Sequence, residues 1–205
     1  SQAQRNCGSM DYLEMQLQND PKRNTKLEAI ERHTEEVVSS GIRAVNGVIN
    51  IPVVVHVVYN TAAENVSTAQ IMSQIDVLNA DFRRLNSDAD NVWAQAADAE
   101  VSFCLATVDP NGAPTTGITR TSTSTTAFGT NDQVKFNSSG GKDAWPSSQY
   151  MNLWVCDISG GILGYAQFPG GASSTDGVVI DYQYFGTTGT ATAPFNLGRT
   201  ATHEV

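Results

Sequence analysis

Ile51-Pro52-Val53-Val54-Val55-His56-Val57-Val58-Tyr59 is nine residues of almost unbroken β-branched and aromatic character. Such a run has no polar face to show to water, so it predicts a central strand buried on both sides. Pro52 fits only at its start, where a missing N–H costs least. The run is far too short to span a bilayer. His56 lies in its middle and has two readings, a metal ligand or a hydrogen-bonded core histidine; the residues around it favour the core.

The helix that follows carries the clearest start signal. Ser67 reads as the N-cap with Gln70 at N3, a capping box, and Val66 and Ile71 read as a hydrophobic staple. Ile71, Ile75, Leu78, Phe82 and Leu85 make its buried stripe, and Asp81, Arg83 and Arg84 its solvated face. Further strands are expected over 101–108, 153–158, 164–168 and 178–182, the one over 164–168 an edge strand flanked by Gly and Pro. Residues 115–130, rich in Thr and Ser, read as loop or short strand. Strand, helix, strands and a last helix make a mixed α/β layer arrangement.

Residues 1–46 stand apart. They hold most of the charge density and read as two short helices separated by Pro21. The second starts at a Thr25–Glu28 capping box and ends at Ser39-Ser40-Gly41; 42–50 is a connector. The formal charge of −9 over 205 residues argues against nucleic acid and anionic membranes as partners. Abundant Ser, Thr, Asn and Gly with scarce Lys hint at an extracellular protein. Cys7, Cys104 and Cys156 are an odd count, which leaves at least one thiol to explain.

The chain ends in Gly198-Arg199-Thr200-Ala201-Thr202-His203-Glu204-Val205. Leu197, Ala201 and Val205 recur at helical spacing, with Asn196 as the expected N-cap. His203-Glu204 matches the first half of a His-Glu-x-x-His helix. There, two histidines one turn apart bind one Zn²⁺ and the Glu acts as general base. The dipeptide alone is a weak signal.

The rest of the chain strengthens it. Ile51–Tyr59, Leu78-Asn-Ala-Asp-Phe-Arg83, Phe103-Cys-Leu-Ala106, Thr116-Gly-Ile-Thr-Arg120, Gly140-Gly-Lys-Asp-Ala-Trp-Pro146, Met151-Asn-Leu-Trp-Val-Cys156, Gly164-Tyr-Ala-Gln-Phe-Pro169 and Asp176-Gly-Val-Val-Ile180 occur in an order that resembles the pappalysin family of metzincin metalloproteases, in its cytophagalysin and ulilysin-like branch. The resemblance implies a zincin-like N-terminal subdomain over 47–205. Its parts would be a twisted five-stranded sheet, a backing helix and the start of the active-site helix, preceded by a helical pro-segment over 1–46. It implies Zn²⁺ as cofactor, with calcium a further candidate in the intact protein. His203 would be the first zinc ligand and Glu204 the general base. Gly164, Tyr165, Ala166 and Gln167 would form the rim strand that pairs antiparallel with a peptide substrate. Arg5-Asn6-Cys7-Gly8 resembles the family's latency motif, with Cys7 a zinc ligand in the latent state; without the resemblance Cys7 reads as a stray free cysteine. The family's sheet order would also put the strands of Cys104 and Cys156 on either side of Ile51–Tyr59, keeping both reduced as buried thiols.

The expected function is therefore a secreted zinc endopeptidase zymogen, extracellular or periplasmic. It would act on peptides or proteins and be inhibited by its own pro-segment. One protein ligand cannot make a site that needs three, so this chain alone is expected to be inactive. The alternative is a non-catalytic extracellular peptide-binding module on the same scaffold.

Overall fold

The structure, a computed structural model, describes residues 6–41, 47–90 and 92–205. Arg5 and most of the expected connector lie outside the described residues. The elements, in order, are α1 (Ser9–Asn19), α2 (Lys22–Ser40), β1 (Ile49–Tyr59), α3 (Thr68–Phe82), β2 (Val101–Leu105), β3 (Ile118–Ser122), β4 (Met151–Cys156), β5 (Gly164–Ala166), β6 (Val178–Asp181) and α4 (Arg199–Glu204).

β1 is central, as its composition requires, with Val53 to Val58 all buried. The sheet order is β2-β1-β4-β6-β5, and β5 alone runs antiparallel, against β6. The zincin-like class holds, with six strands rather than five. β2 pairs with Ile49–Val53 and β3 with Val55–Tyr59, so two short strands share one side of β1. Gly117 makes the join: at φ +71°, a Cβ there would come within 2.7 Å of the Ala106 nitrogen. β3 (Ile-Thr-Arg-Thr-Ser) is half-exposed and lacks the apolar run that marks β1.

Alternation along the strands divides the interior. Val53, Val55, Val57, Leu153, Val155 and Ile180 face α3 and α4. Val58, Trp154, Cys156 and Val179 face the opposite way, where Phe128, Val134, Tyr165 and Tyr12 of α1 complete the packing. His56 lies on the second of these faces, in register with Trp154 and with ring centroids 5.2 Å apart, as a core histidine. Its ring nitrogens sit 2.8 Å from Thr119 Oγ1 and 3.0 Å from Asn152 Oδ1, and burial pushes its pKa down to about 4.

Several local expectations need correction. α2 starts at Lys22 behind Pro21, a turn before Thr25, because proline presets a first-turn φ (here −60°); Asp20 Oδ1 accepts from the Lys22 amide. Ser67 does cap α3, accepting from the Gln70 amide. Gln70 does not reciprocate. Its side-chain amide donates to the carbonyls of Tyr182 and Phe185 and accepts from Thr190. Gln74 likewise donates to the Gly198 carbonyl and accepts from Gly186. These two buried glutamines stitch the segment 182–198 onto α3. Leu85 lies beyond the helix and is exposed. Cys104 and Cys156 are free and flank β1, but only Cys156 is buried. Cys104 pairs in register with Pro52, and both are exposed.

Candidate active site

The final helix is held in place by its neighbour. Gly198, not Asn196, is the N-cap of α4; at φ +70° it turns the chain tightly over α3, where a Cβ would meet Val77 at 3.0 Å. Asp81, expected on a solvated face, instead pairs with Arg199 at 2.7 Å and accepts from Thr202 Oγ1 at 2.6 Å. Only Ala201 of the expected Leu197/Ala201/Val205 stripe is buried. These ties set the position of the next two residues, His203 and Glu204.

Residues 6–9 run beside β5. The Leu163 amide donates to the Asn6 carbonyl at 2.8 Å, and the Gly8 amide to the Gly164 carbonyl at 2.9 Å. Cys7 and Gly164 form a parallel bridge. The segment therefore lies along the rim in the direction opposite to the antiparallel pairing expected of a substrate. Gly164 lets the rim approach α4, since a Cβ there would meet Ile180, Val179 and, at 3.2 Å, Glu204 Cγ.

Cys7, His203 and Glu204 converge, each offering a ligand atom within 4.8 Å of the others. His203 is exposed and Glu204 buried. Burial, and then the nearby Glu204, push the Cys7 thiol pKa up. The cluster opens on a cavity of about 430 Å³ that Met10, Phe168 and Pro169 help line. A thiol and an imidazole this close suit Zn²⁺, which takes sulfur and nitrogen donors, so the residues present fit that metal.

The four expected rim residues split by alternation. The Gly164 carbonyl and the Ala166 amide point outward, where residues 6–9 meet them. Tyr165 pairs inward with β6, its side chain buried, and the Gln167 amide donates to the Gly177 carbonyl. The Gln167 side chain is also internal, bonded to Thr175 and the Ala172 carbonyl.

Ser9 and Tyr12 are additions that the residue pattern does not single out. Ser9 Oγ donates to Glu204 Oε2 and accepts from the Ala166 amide, both at 2.8 Å. A serine at the start of a helix reads simply as a capping residue, and only the fold brings residue 9 to residue 204.

No family model matches the chain, and no curated protein does. Solved structures do. A Tannerella forsythia promirolysin mutant superposes with a TM-score of 0.84 at 46% identity, covering 98% of this chain and 67% of that one. The chain belongs to the pappalysin family of metzincins. Two further members of it are similar over a shorter stretch: mature mirolysin of T. forsythia in complex with a cleaved peptide, and mirolysin in complex with compound 9. Each has a TM-score of 0.74 at 54% identity and covers 78% of this chain. The chain spans 62% of those two mirolysin chains.

Proposed function

We propose that this chain comprises the pro-segment (1–46) and the first part of the catalytic domain (47–205) of a secreted zinc endopeptidase made as a zymogen. The observation that carries the reading is the convergence of Cys7, His203 and Glu204 where residues 6–9 lie along the rim strand. The relatives support it: one is a pro-form, and another was solved with a cleaved peptide. The pro-form covers about a fifth more of this chain than the mature form does, roughly the share of residues 1–46.

His203 would hold Zn²⁺, and in the latent state Cys7 would occupy the position that water needs. When bound, the metal supplies Lewis-acid polarisation of the scissile carbonyl and acidifies a water. Glu204 would serve as general base toward an attacking water and return the proton to the leaving amine. The Gly164 carbonyl and Ala166 amide hold an extended peptide by strand addition. While residues 6–9 are present, both rim groups and the Glu204 carboxylate are engaged, so the chain holds its base and its substrate-anchoring edge closed together.

The test uses the longer protein that contains the rest of the zinc helix, cut between 41 and 47. Wild type should retain one zinc through dialysis and cleave peptides; Glu204→Gln should retain the metal and lose cleavage. Zinc retention without cleavage by wild type would instead favour a non-catalytic binding module.

A further inference from the structure

We propose that the recess filled by Tyr12 is a specificity site for a tyrosine side chain of a peptide lying along β5, uncovered when the pro-segment leaves. The proposal rests on the peptidase reading above. Tyr12 and Ser9 are the buried residues of α1, and Tyr12 is wholly buried. Its hydroxyl donates to Asp132 Oδ2 at 2.7 Å and lies 3.4 Å from Gln167 Oε1. Its ring packs on Tyr165 with centroids 5.2 Å apart, and Lys135 Nζ stands 5.0 Å from its centre.

The residues that Tyr12 touches here, Asp132, Lys135, Tyr165 and Gln167, lie outside the pro-segment and have support independent of Tyr12. Gln16 of α1, which donates to Gln167 Oε1 at 3.1 Å, would leave together with Tyr12. Lys135 Nζ pairs with Asp132 Oδ1 at 2.8 Å and donates to the Thr175 carbonyl at 2.7 Å. The same ammonium lies over Trp154 and Tyr165, and Trp154 Nε1 donates to the Lys142 carbonyl. Thr175 Oγ1 and the Ala172 carbonyl fix Gln167. The buried Tyr165 hydroxyl has no hydrogen-bond partner among the described residues. Loss of Tyr12 therefore leaves a supported hole with unmet polar capacity.

Its chemistry selects a phenol. The ammonium favours the π face of an aromatic ring and repels a cation. The Asp132 carboxylate repels an anion and rewards a hydroxyl donor, which separates tyrosine from phenylalanine. Its position suits a bound peptide. Gly164 faces Glu204, so Tyr165, its neighbour in the strand, faces the other side of the sheet, toward the recess. In an antiparallel pair, directly opposed residues put their side chains on the same face. A peptide residue opposite Tyr165 would therefore point its side chain toward the recess.

Two experiments test this. In the full 205-residue chain carrying Tyr12→Gly, p-cresol should raise the melting temperature and bind about tenfold more tightly than toluene. Adding Asp132→Asn should collapse that gap; equal binding of the two probes in Tyr12→Gly overturns the proposal. The second experiment needs no cavity variant. The longer protein, freed of its pro-segment, is given peptides with Tyr, Phe or Ala scanned through the residues that flank the cut. Tyr should lower KM about tenfold against Phe at one position, and Asp132→Asn should remove that preference. Cleavage with no such preference overturns the recess as a specificity site and leaves the peptidase reading standing. Cleavage of no peptide overturns both.

Discussion

Ser9 and Glu204 are 195 positions apart, yet the serine hydroxyl donates to the glutamate carboxylate at 2.8 Å. The same oxygen accepts from the Ala166 amide. One pro-segment atom thus satisfies the proposed general base and an outward amide of the rim strand at once. This lock does not need a metal.

Ser9→Ala should loosen that lock. It leaves a buried carboxylate without its donor and an edge amide without its acceptor, at a cost of about 2 kcal/mol to pro-segment docking. Hydrogen exchange of the Ala166 amide in metal-free chain should then run about thirtyfold faster. Unchanged exchange at Ala166 would mean that the Ser9 contact does not hold the rim closed.

Asp132→Ala should be among the most damaging single changes. Lys135 is fully buried, and Asp132 is its only carboxylate partner in an ion pair among the described residues. Burial already pushes the Lys135 pKa down, and the change leaves its charge with aromatic faces, the Thr175 carbonyl and the more distant Asp176 carboxylate. Breaking such a pair from one side costs about 3–5 kcal/mol. A urea midpoint shifted down with an unchanged slope would report it. A shift below about 1 kcal/mol would mean that water reaches Lys135.

Two buried groups oppose each other in pH. Burial pushes Asp181 up to about 6 and His56 down to about 4. The folded state favours protonated Asp181, so its stabilisation is full below about 4, its ordinary value, and is lost as pH rises through about 6. The folded state favours neutral His56, so that stabilisation is present above about 6.5 and is lost as pH falls toward 4. Asp181→Asn removes the first effect alone. Mutant stability minus wild-type stability should rise between pH 4 and 6, by up to about 1.4 kcal/mol per pH unit. A flat difference curve would mean that Asp181 titrates as an ordinary carboxylate.

What could be read from the residues follows from where the stabilising contact lies. β1 was legible because Val53 to Val58, buried on both faces, hold no polar residue but His56, and Ser67 was legible because a cap acts within one turn. β3 was legible only as loop or short strand, since a half-exposed edge segment carries no such run. Asp81, Gln70 and Gln74 carry ordinary surface chemistry; their partners, Arg199, Phe185 and Gly198, are more than a hundred positions away. The candidate site divides in the same way. His203-Glu204, a weak signal by itself, was legible through the motifs that precede it in the chain. Ser9 and Tyr12 act only because α1 is laid across the sheet edge, which no local pattern encodes.

The last prediction separates the Cys7 thiol from the Ser9 hydroxyl as sources of latency. Both come from the segment paired with β5, and both meet the His203-Glu204 corner. In the longer, uncut zymogen, Cys7→Ala should raise peptidase activity, because the thiol no longer fills the position that water needs. A loss of about 1.4 kcal/mol in pro-segment affinity is a tenfold gain in the open fraction. Cys7→Ala alone should not release full activity, since Ser9 still engages Glu204 and Ala166; Cys7→Ala with Ser9→Ala should come closer to the cut enzyme. Once the connector is cut and the segment removed, all the variants are the same protein, so that activity is an internal reference. Equal, low activity of uncut wild type and Cys7→Ala, with a rise in Ser9→Ala, would assign latency to the serine. No rise in any variant would leave the bulk of α1 and the Tyr12 anchor as what closes the cleft.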